Sequence, residues 1–122
     1  MTEFTVRLAN RPGMLAALAE RLAAAGIRIE AVAAFGLGSE GVAHLVVDDA
    51  AAAREVLRSL SAPFEERPVI VTTLSHEPDA LAAMTGRLAA SGVNIEALYL
   101  LRSSPDGREF AVAVDRPDAI GT

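Results

Sequence analysis

The sequence predicts an α+β fold built from two β-α-β-β-α-β units, and three observations carry that reading. The chain repeats itself. Ala25-Gly26-Ile27-Arg28-Ile29-Glu30-Ala31-Val32 returns 66 residues later as Ser91-Gly92-Val93-Asn94-Ile95-Glu96-Ala97-Leu98. The same interval separates Pro12 from Pro78, Arg21-Leu22 from Arg87-Leu88, and Asp49 from Asp115. A period this long marks one duplicated supersecondary unit. Within each copy, apolar residues alternate in some stretches and recur every three to four positions in others, which separates strands from helices. Glycine and proline punctuate the boundaries between them.

The elements follow in order. Phe4-Thr5-Val6-Arg7-Leu8 alternates as a half-buried strand does. Asn10-Arg11-Pro12-Gly13 follows, with Pro12 suited to a first helical turn, where its missing N–H leaves nothing unpaired. Met14, Leu15, Leu18, Leu22 and Ala25 fall at helical spacing, and Gly26 stands where a helix end needs positive φ. Ile27, Ile29, Ala31, Ala33 and Phe35 are expected on one face of a second strand, with a turn from Gly36 to Gly41. Val42 to Val47 is almost wholly apolar, the pattern of a central strand buried on both faces. Asp48 or Asp49 caps a second helix running to Leu60, with Ala53, Val56, Leu57 and Leu60 inward. Pro63 ends it, and Phe64 to Arg67 is a short fourth strand.

The second copy opens with a strand from Val69 to Leu74 and the loop Ser75-His76-Glu77-Pro78. Its helix carries Leu81, Met84 and Leu88 and ends at Gly92. A strand from Val93 to Leu101, a turn at Pro105-Asp106-Gly107 and a strand from Phe110 to Val114 follow. After Asp115 only seven residues remain, so this copy is expected to lack most of its last helix and strand. The expected modules are 1–66 and 67–122. Such a unit folds as a four-stranded antiparallel sheet with both helices on one face, the ferredoxin-like arrangement. The other face, apolar in several places, needs a cover.

Composition bounds the function. Of 122 residues, 52% are hydrophobic and only 4% aromatic, so the core is built from Ala, Val, Leu and Ile. A net charge of −5 argues against a nucleic-acid surface. There is no cysteine, hence no disulfide framework or thiolate chemistry. Apolar runs are too short to span a membrane, and a cytoplasmic protein is expected. Gly36-Leu37-Gly38-Ser39-Glu40-Gly41 matches G-x-G-x-x-G, but a strand follows it, so no helix N-terminus faces a pyrophosphate. No Ser-His-Asp spacing, P-loop or metal-spaced histidine set appears, and neither an enzyme nor a cofactor is expected.

Asn10-Arg11-Pro12-Gly13-Met14-Leu15, with Ala25-Gly26-Ile27-Arg28-Ile29-Glu30-Ala31, resembles the ACT domain family of small regulatory modules. Gly92-Val93-Asn94-Ile95-Glu96-Ala97 resembles it again, so the chain from about Glu3 to Asp115 is similar to free-standing tandem ACT proteins. The resemblance implies an effector, usually an amino acid, held at the interface between modules by the loop before the first helix and by that helix's N-terminus. The residues suit that role. A helix N-terminus favours a carboxylate, Gly13 lets backbone approach closely, and an Asn carboxamide both accepts and donates.

By the resemblance, Asn10 matches the loop asparagine, and Asn94 the strand asparagine, of the serine-binding ACT module of phosphoglycerate dehydrogenase. That module's loop histidine is replaced here by Leu8, and by Leu74 in the second copy. The implied ligand set is Asn10, Pro12, Gly13, Met14, Leu15, Asn94 and Ile95. Copy one carries Arg28 where copy two has Asn94, and copy two carries His76 where copy one has Asn10. A reciprocal second site would therefore hold His76 and Arg28, with the anionic Asp79 in the place of Gly13. One good amino-acid pocket is expected, on a homodimer that regulates an enzyme. The competing reading is a ligand-free dimerisation or partner-docking module.

Overall fold

The structure is a computed structural model that describes residues 1–117. The chain divides into two compact units between Pro68 and Val69. The first contains β1 (Thr2–Ala9), α1 (Met14–Ala24), β2 (Ile29–Leu37), β3 (Glu40–Val47), α2 (Ala50–Ser59) and β4 (Phe64–Pro68). Its strands lie in the order β2-β3-β1-β4, every pair antiparallel. Phe4 and Val6 of β1 and Ala43, Leu45 and Val47 of β3 meet Leu18 and Leu22 of α1 and Ala53 and Leu57 of α2. Both helices therefore cover one sheet face, as the ferredoxin-like order requires. Residues i and i+4 share a helix face, which is why two residues from each helix suffice to close this core.

The second unit contains β5 (Ile70–Leu74), α3 (Ala80–Ala90), β6 (Ile95–Ser104) and β7 (Gly107–Val114), with the sheet order β5-β7-β6. Met84 of α3 packs with Leu74, Val93, Phe110, Val112 and Val114. Among the described residues this unit holds one helix and three strands. The expected shortening of its last helix and strand falls on 118–122, outside the described residues.

β3 is central, as its apolar run predicts, and Ala43 and Leu45 to Val47 are buried. Asp49 caps α2, its carboxylate accepting from Ala52 N at 3.1 Å. Gly26 and Gly92 carry φ of 74° and 71° just past their helices. Arg54 of α2 forks onto Glu66 of β4, with Nε–Oε2 2.7 Å and Nη2–Oε1 2.6 Å. That hydrogen bonding holds the Glu66 carboxyl below its ordinary range and raises Arg54.

Four expectations need correction. The set Ile27 to Phe35 does not share one face, because a bulge interrupts β2 between Ile29 and Ala31. Ile29 opposes Val47 on the helix-covered face, whereas Ala31, Ala33 and Phe35 oppose Val46, His44 and Val42 on the other. One unpaired residue is enough to reverse a period-two pattern, and β6 repeats the bulge between Ile95 and Ala97. The turns are also tighter than expected. Only Gly38-Ser39 joins β2 to β3, with Gly38 at φ 62°, and only Pro105-Asp106 joins β6 to β7. Gly38 supplies the positive φ that a primed two-residue turn demands, whereas Pro105, fixed at negative φ, opens a turn of another type that ends on Gly107 at φ 147°.

Third, α1 starts at Met14, so Pro12 lies in the preceding turn and not in the helix. Leu15 is 43% exposed, and Ala25 is exposed as the C-cap. The core stripe is the pair Leu18 and Leu22, while Leu15 stands at the helix's open end. Fourth, the structural counterpart of Asp115 is Asp48, not Asp49. Asp48 Oδ1 accepts from Arg28 N at 3.1 Å, and Asp115 Oδ1 accepts from Asn94 N at 2.9 Å. The interval has grown to 67 because β6 holds an extra bulge between Leu100 and Arg102.

Candidate functional site

A cleft of about 150 Å³ opens in the first unit where β1 runs into α1. Leu8, Ala9, Asn10 and Arg11 form one side, Met14 and Leu15 of α1 another, and Ala34 to Gly36 with Gly41 to Ala43 the floor. The register puts the Phe35 and Val42 side chains on the opposite sheet face from Leu8 and Ala43, so these two border the cleft with backbone. Two glycines make the room. A Cβ on Gly36 would lie 2.6 Å from both Asn10 Oδ1 and Nδ2, and one on Gly41 would lie 3.4 Å from Leu8 O.

Asn10 is held on two counts. Its backbone N–H donates to Ser39 O at 2.9 Å, and Nδ2 donates to Gly38 O at 2.9 Å. The carboxamide thus pins the loop to the hairpin tip, and Oδ1 makes no hydrogen bond to another described residue. Arg11 is exposed, and its guanidinium pairs with no described residue. Gly13, at φ 89°, forms the N-cap of α1 without a side-chain cap. Met14 N–H donates to Arg11 O at 3.4 Å, whereas the Leu15 and Ala16 N–H groups receive no side-chain cap and carry the positive end of the helix dipole toward the loop. An uncapped helix start, a free guanidinium and a carboxamide oxygen can receive a carboxylate and an ammonium together.

The structure brings together Asn10, Met14 and Leu15 from the expected set and adds Arg11, which the motif contained but which sequence reasoning passed over. Pro12 and Gly13 shape the loop without lining the cleft. Arg28 lies at the far end of the same unit, because α1 returns the chain across the sheet before β2 begins. Its backbone is clamped to Asp48 (N–H to Oδ1, and Asp48 N to Arg28 O at 3.3 Å). Asn94 precedes Ile95 in an identical clamp to Asp115, and its carboxamide makes no hydrogen bond to another described residue.

His76 is the counterpart of Asn10 in geometry as well as in spacing. Its Nε2 lies 2.5 Å from Ser104 O, which requires the proton on Nε2, since a carbonyl only accepts. Arg108 marks the contrast between the units. It opposes Leu74 as Gly41 opposes Leu8. Its guanidinium lies 5.5 Å over the Phe110 ring, with Nε buried and without a hydrogen-bond partner among the described residues. Where the first unit has open floor, the second has a guanidinium.

On the other face of the first sheet, Glu3 is 1% exposed and pairs with Arg67, its cross-strand neighbour. His44 Nδ1 lies 3.8 Å from Glu3 Oε2 and 3.2 Å from Thr5 Oγ1. A buried carboxylate persists only when paired and hydrogen-bonded, so His44 belongs to a packed polar cluster. Glu3 and Arg67 are 64 residues apart, and only the β1–β4 register could have disclosed the pair. Among the described residues no three His, Asp or Glu side chains gather as metal ligands, and no helix is long and apolar enough to cross a membrane.

No protein-family model matches the sequence, and a comparison with curated proteins finds no match either. Solved structures do match. Protein BT0572 from Bacteroides thetaiotaomicron is 24% identical with a TM-score of 0.87, over 98% of this chain and 83% of that one. The ligand-free regulatory subunit of aspartate kinase from Thermus thermophilus is 19% identical with a TM-score of 0.71, over 97% and 86%. The corresponding subunit from Thermus flavus is 21% identical with a TM-score of 0.65, over 97% and 86%. At these identities the likeness shows the fold alone, α+β with antiparallel sheets.

Proposed function

We propose that this protein is a regulatory module that binds a free amino acid in the Asn10–Arg11 cleft and acts on a partner enzyme. One observation carries the reading. The cleft offers a free cation, a free carboxamide oxygen and an uncapped helix start at one opening, which is the set that a zwitterion needs. The fold supports it, because two of the similar structures are regulatory subunits of aspartate kinase. The ligand's α-carboxylate meets Arg11 and the N–H groups of α1, and its α-ammonium meets Asn10 Oδ1. Pro12 and Gly13 hold the loop, and Met14 and Leu15 pack on the ligand.

The finer parts of the proposal concern the second copy. Asn94, with Ile95, supplies a second carboxamide to the same ligand, so that two modules share it. Arg108 stands where Gly41 leaves space, so the His76 and Arg28 positions do not make an equal site, and one ligand binds per chain. The protein works as a homodimer, and a ligand shared between modules stabilises the paired state by RT ln(1 + [L]/Kd). It favours only the arrangement in which both modules contribute.

Thermal unfolding in the presence of each of the twenty amino acids tests the core of this reading. A raised Tm with at least one, abolished in Asn10→Ala and Asn94→Ala, is the expected result. Twenty unchanged melting curves would dismiss it in favour of the second reading, a ligand-free docking module. That reading draws on the edge strand β2, where Val32, Phe35 and Leu37 are 54%, 64% and 87% exposed, since open apolar edges invite another chain.

A further inference from the structure

We infer that the amino acid held in this cleft has an aliphatic side chain of about four non-hydrogen atoms, as in leucine, isoleucine or methionine. The inference rests on the cleft being an amino-acid site and goes on to specify the ligand. The polar groups at the opening are Asn10 and Arg11, and both, like the carboxamide proposed from Asn94, are committed to the ligand's α-groups. The rest of the lining is Leu8, Met14, Leu15, Ala34 and Ala43, together with backbone and two glycines.

No Asp or Glu lines the cleft, so a lysine or arginine side chain would lose its hydration without gaining a counter-charge. No second cation is present for a side-chain carboxylate. No hydroxyl or imidazole side chain lines it either, so a serine or threonine hydroxyl would be left without a side-chain partner there, and an unmade buried hydrogen bond opposes binding. An aliphatic chain meets none of these penalties and gains by leaving water.

The cleft, about 150 Å³ and open on one side, has room for a leucine side chain with its Cα while the charged α-groups stay at the opening. Each methylene buried strengthens binding roughly fourfold, so leucine should exceed alanine by roughly 50-fold for its three extra carbons.

The test is calorimetric titration of the full chain with L-leucine, L-isoleucine, L-methionine, L-alanine, L-serine, L-lysine and L-aspartate, repeated on two variants. Asn10→Ala reports whether the heat comes from this cleft. Leu15→Gln alters an exposed residue on the rim and keeps the test open should Asn10→Ala unfold. The expected result is tightest binding by one of the first three, at least tenfold beyond alanine, and weakened about tenfold by Leu15→Gln. Tightest binding by serine, lysine or aspartate that still depends on Asn10 would overturn the aliphatic assignment and leave the cleft intact as an amino-acid site. Leucine binding untouched by both variants would overturn the assignment by moving the ligand elsewhere. No heat with any of the seven would overturn the aliphatic assignment, and the melting series with all twenty amino acids decides separately whether the cleft is an amino-acid site.

Discussion

Gly36→Ala separates the fold from the site. Gly36 lies in β2 without positive φ, so alanine fits the backbone there. The new methyl would, however, stand 2.6 Å from both terminal atoms of Asn10 and 2.7 Å from its Cγ. Those atoms are the end of a short exposed side chain, so the carboxamide swings away at little cost to its surroundings. The lost Asn10–Gly38 hydrogen bond costs about 0.5–1.5 kcal/mol. Alanine in place of glycine in a strand returns about 0.5–1 kcal/mol. The net effect lies within about 1 kcal/mol of zero, or within about 4–8 °C in Tm for a unit of this size.

Ligand binding responds very differently. Losing a hydrogen bond to a charged group costs about 1.5–3 kcal/mol, which weakens binding roughly 10- to 150-fold. The assay is paired: Tm without ligand, and the ligand-induced shift in Tm, for the native chain and for Gly36→Ala. A nearly native Tm with the shift gone is expected. A full ligand response would show that the carboxamide does not touch the ligand, and a Tm lowered by tens of degrees would show that Asn10 serves the fold first.

Three other perturbations test the packing within the two units. Gly107 has φ 147°, and a Cβ there would lie 2.6 Å from Leu74 O, so Gly107→Ala should cost about 1–3 kcal/mol, and an unchanged urea midpoint would contradict the β5–β7 register. Leu57 is fully buried; Leu57→Ala should cost about 2–5 kcal/mol, read from the same urea curves, and a cost under about 1 kcal/mol would mean that α2 does not close the core. Glu66 is held below its ordinary pKa by Arg54, so the pair contributes stability above the unfolded-state value and loses it as pH falls through the folded one. Glu66→Gln should therefore lower Tm at pH 7 by more than at pH 3, and an equal difference at both pH values would show that the fork adds nothing.

Much of this was legible in the chain because each feature had a local cause. Gly26 and Gly92 announce positive φ, the apolar run of Val42 to Val47 announces a central strand, and Asp49 announces a cap. The repeat gave the order of elements, and Asn10 placed one edge of the cleft. The bulges were not legible, because a single unpaired residue leaves no mark on composition, yet one turned Ala31 and Phe35 to the opposite face and another made Asp48, not Asp49, the counterpart of Asp115. Arg11 went unnoticed because an arginine beside Pro12 reads as a solvated loop residue until its neighbours are placed. The Glu3–Arg67 pair depends on strand register alone. The contrast between Gly41 and Arg108 required both sheets, since the extra residue in β6 shifts the two copies out of step.

The central claim is that this chain offers one amino-acid site, framed by Asn10 and Arg11. The most direct measurement is the stoichiometry of L-leucine binding by calorimetry on the native chain and on Arg11→Ala. One ligand per chain, with binding lost or weakened at least tenfold in Arg11→Ala, is the expected result. Two ligands per chain, or binding indifferent to Arg11, would contradict the account.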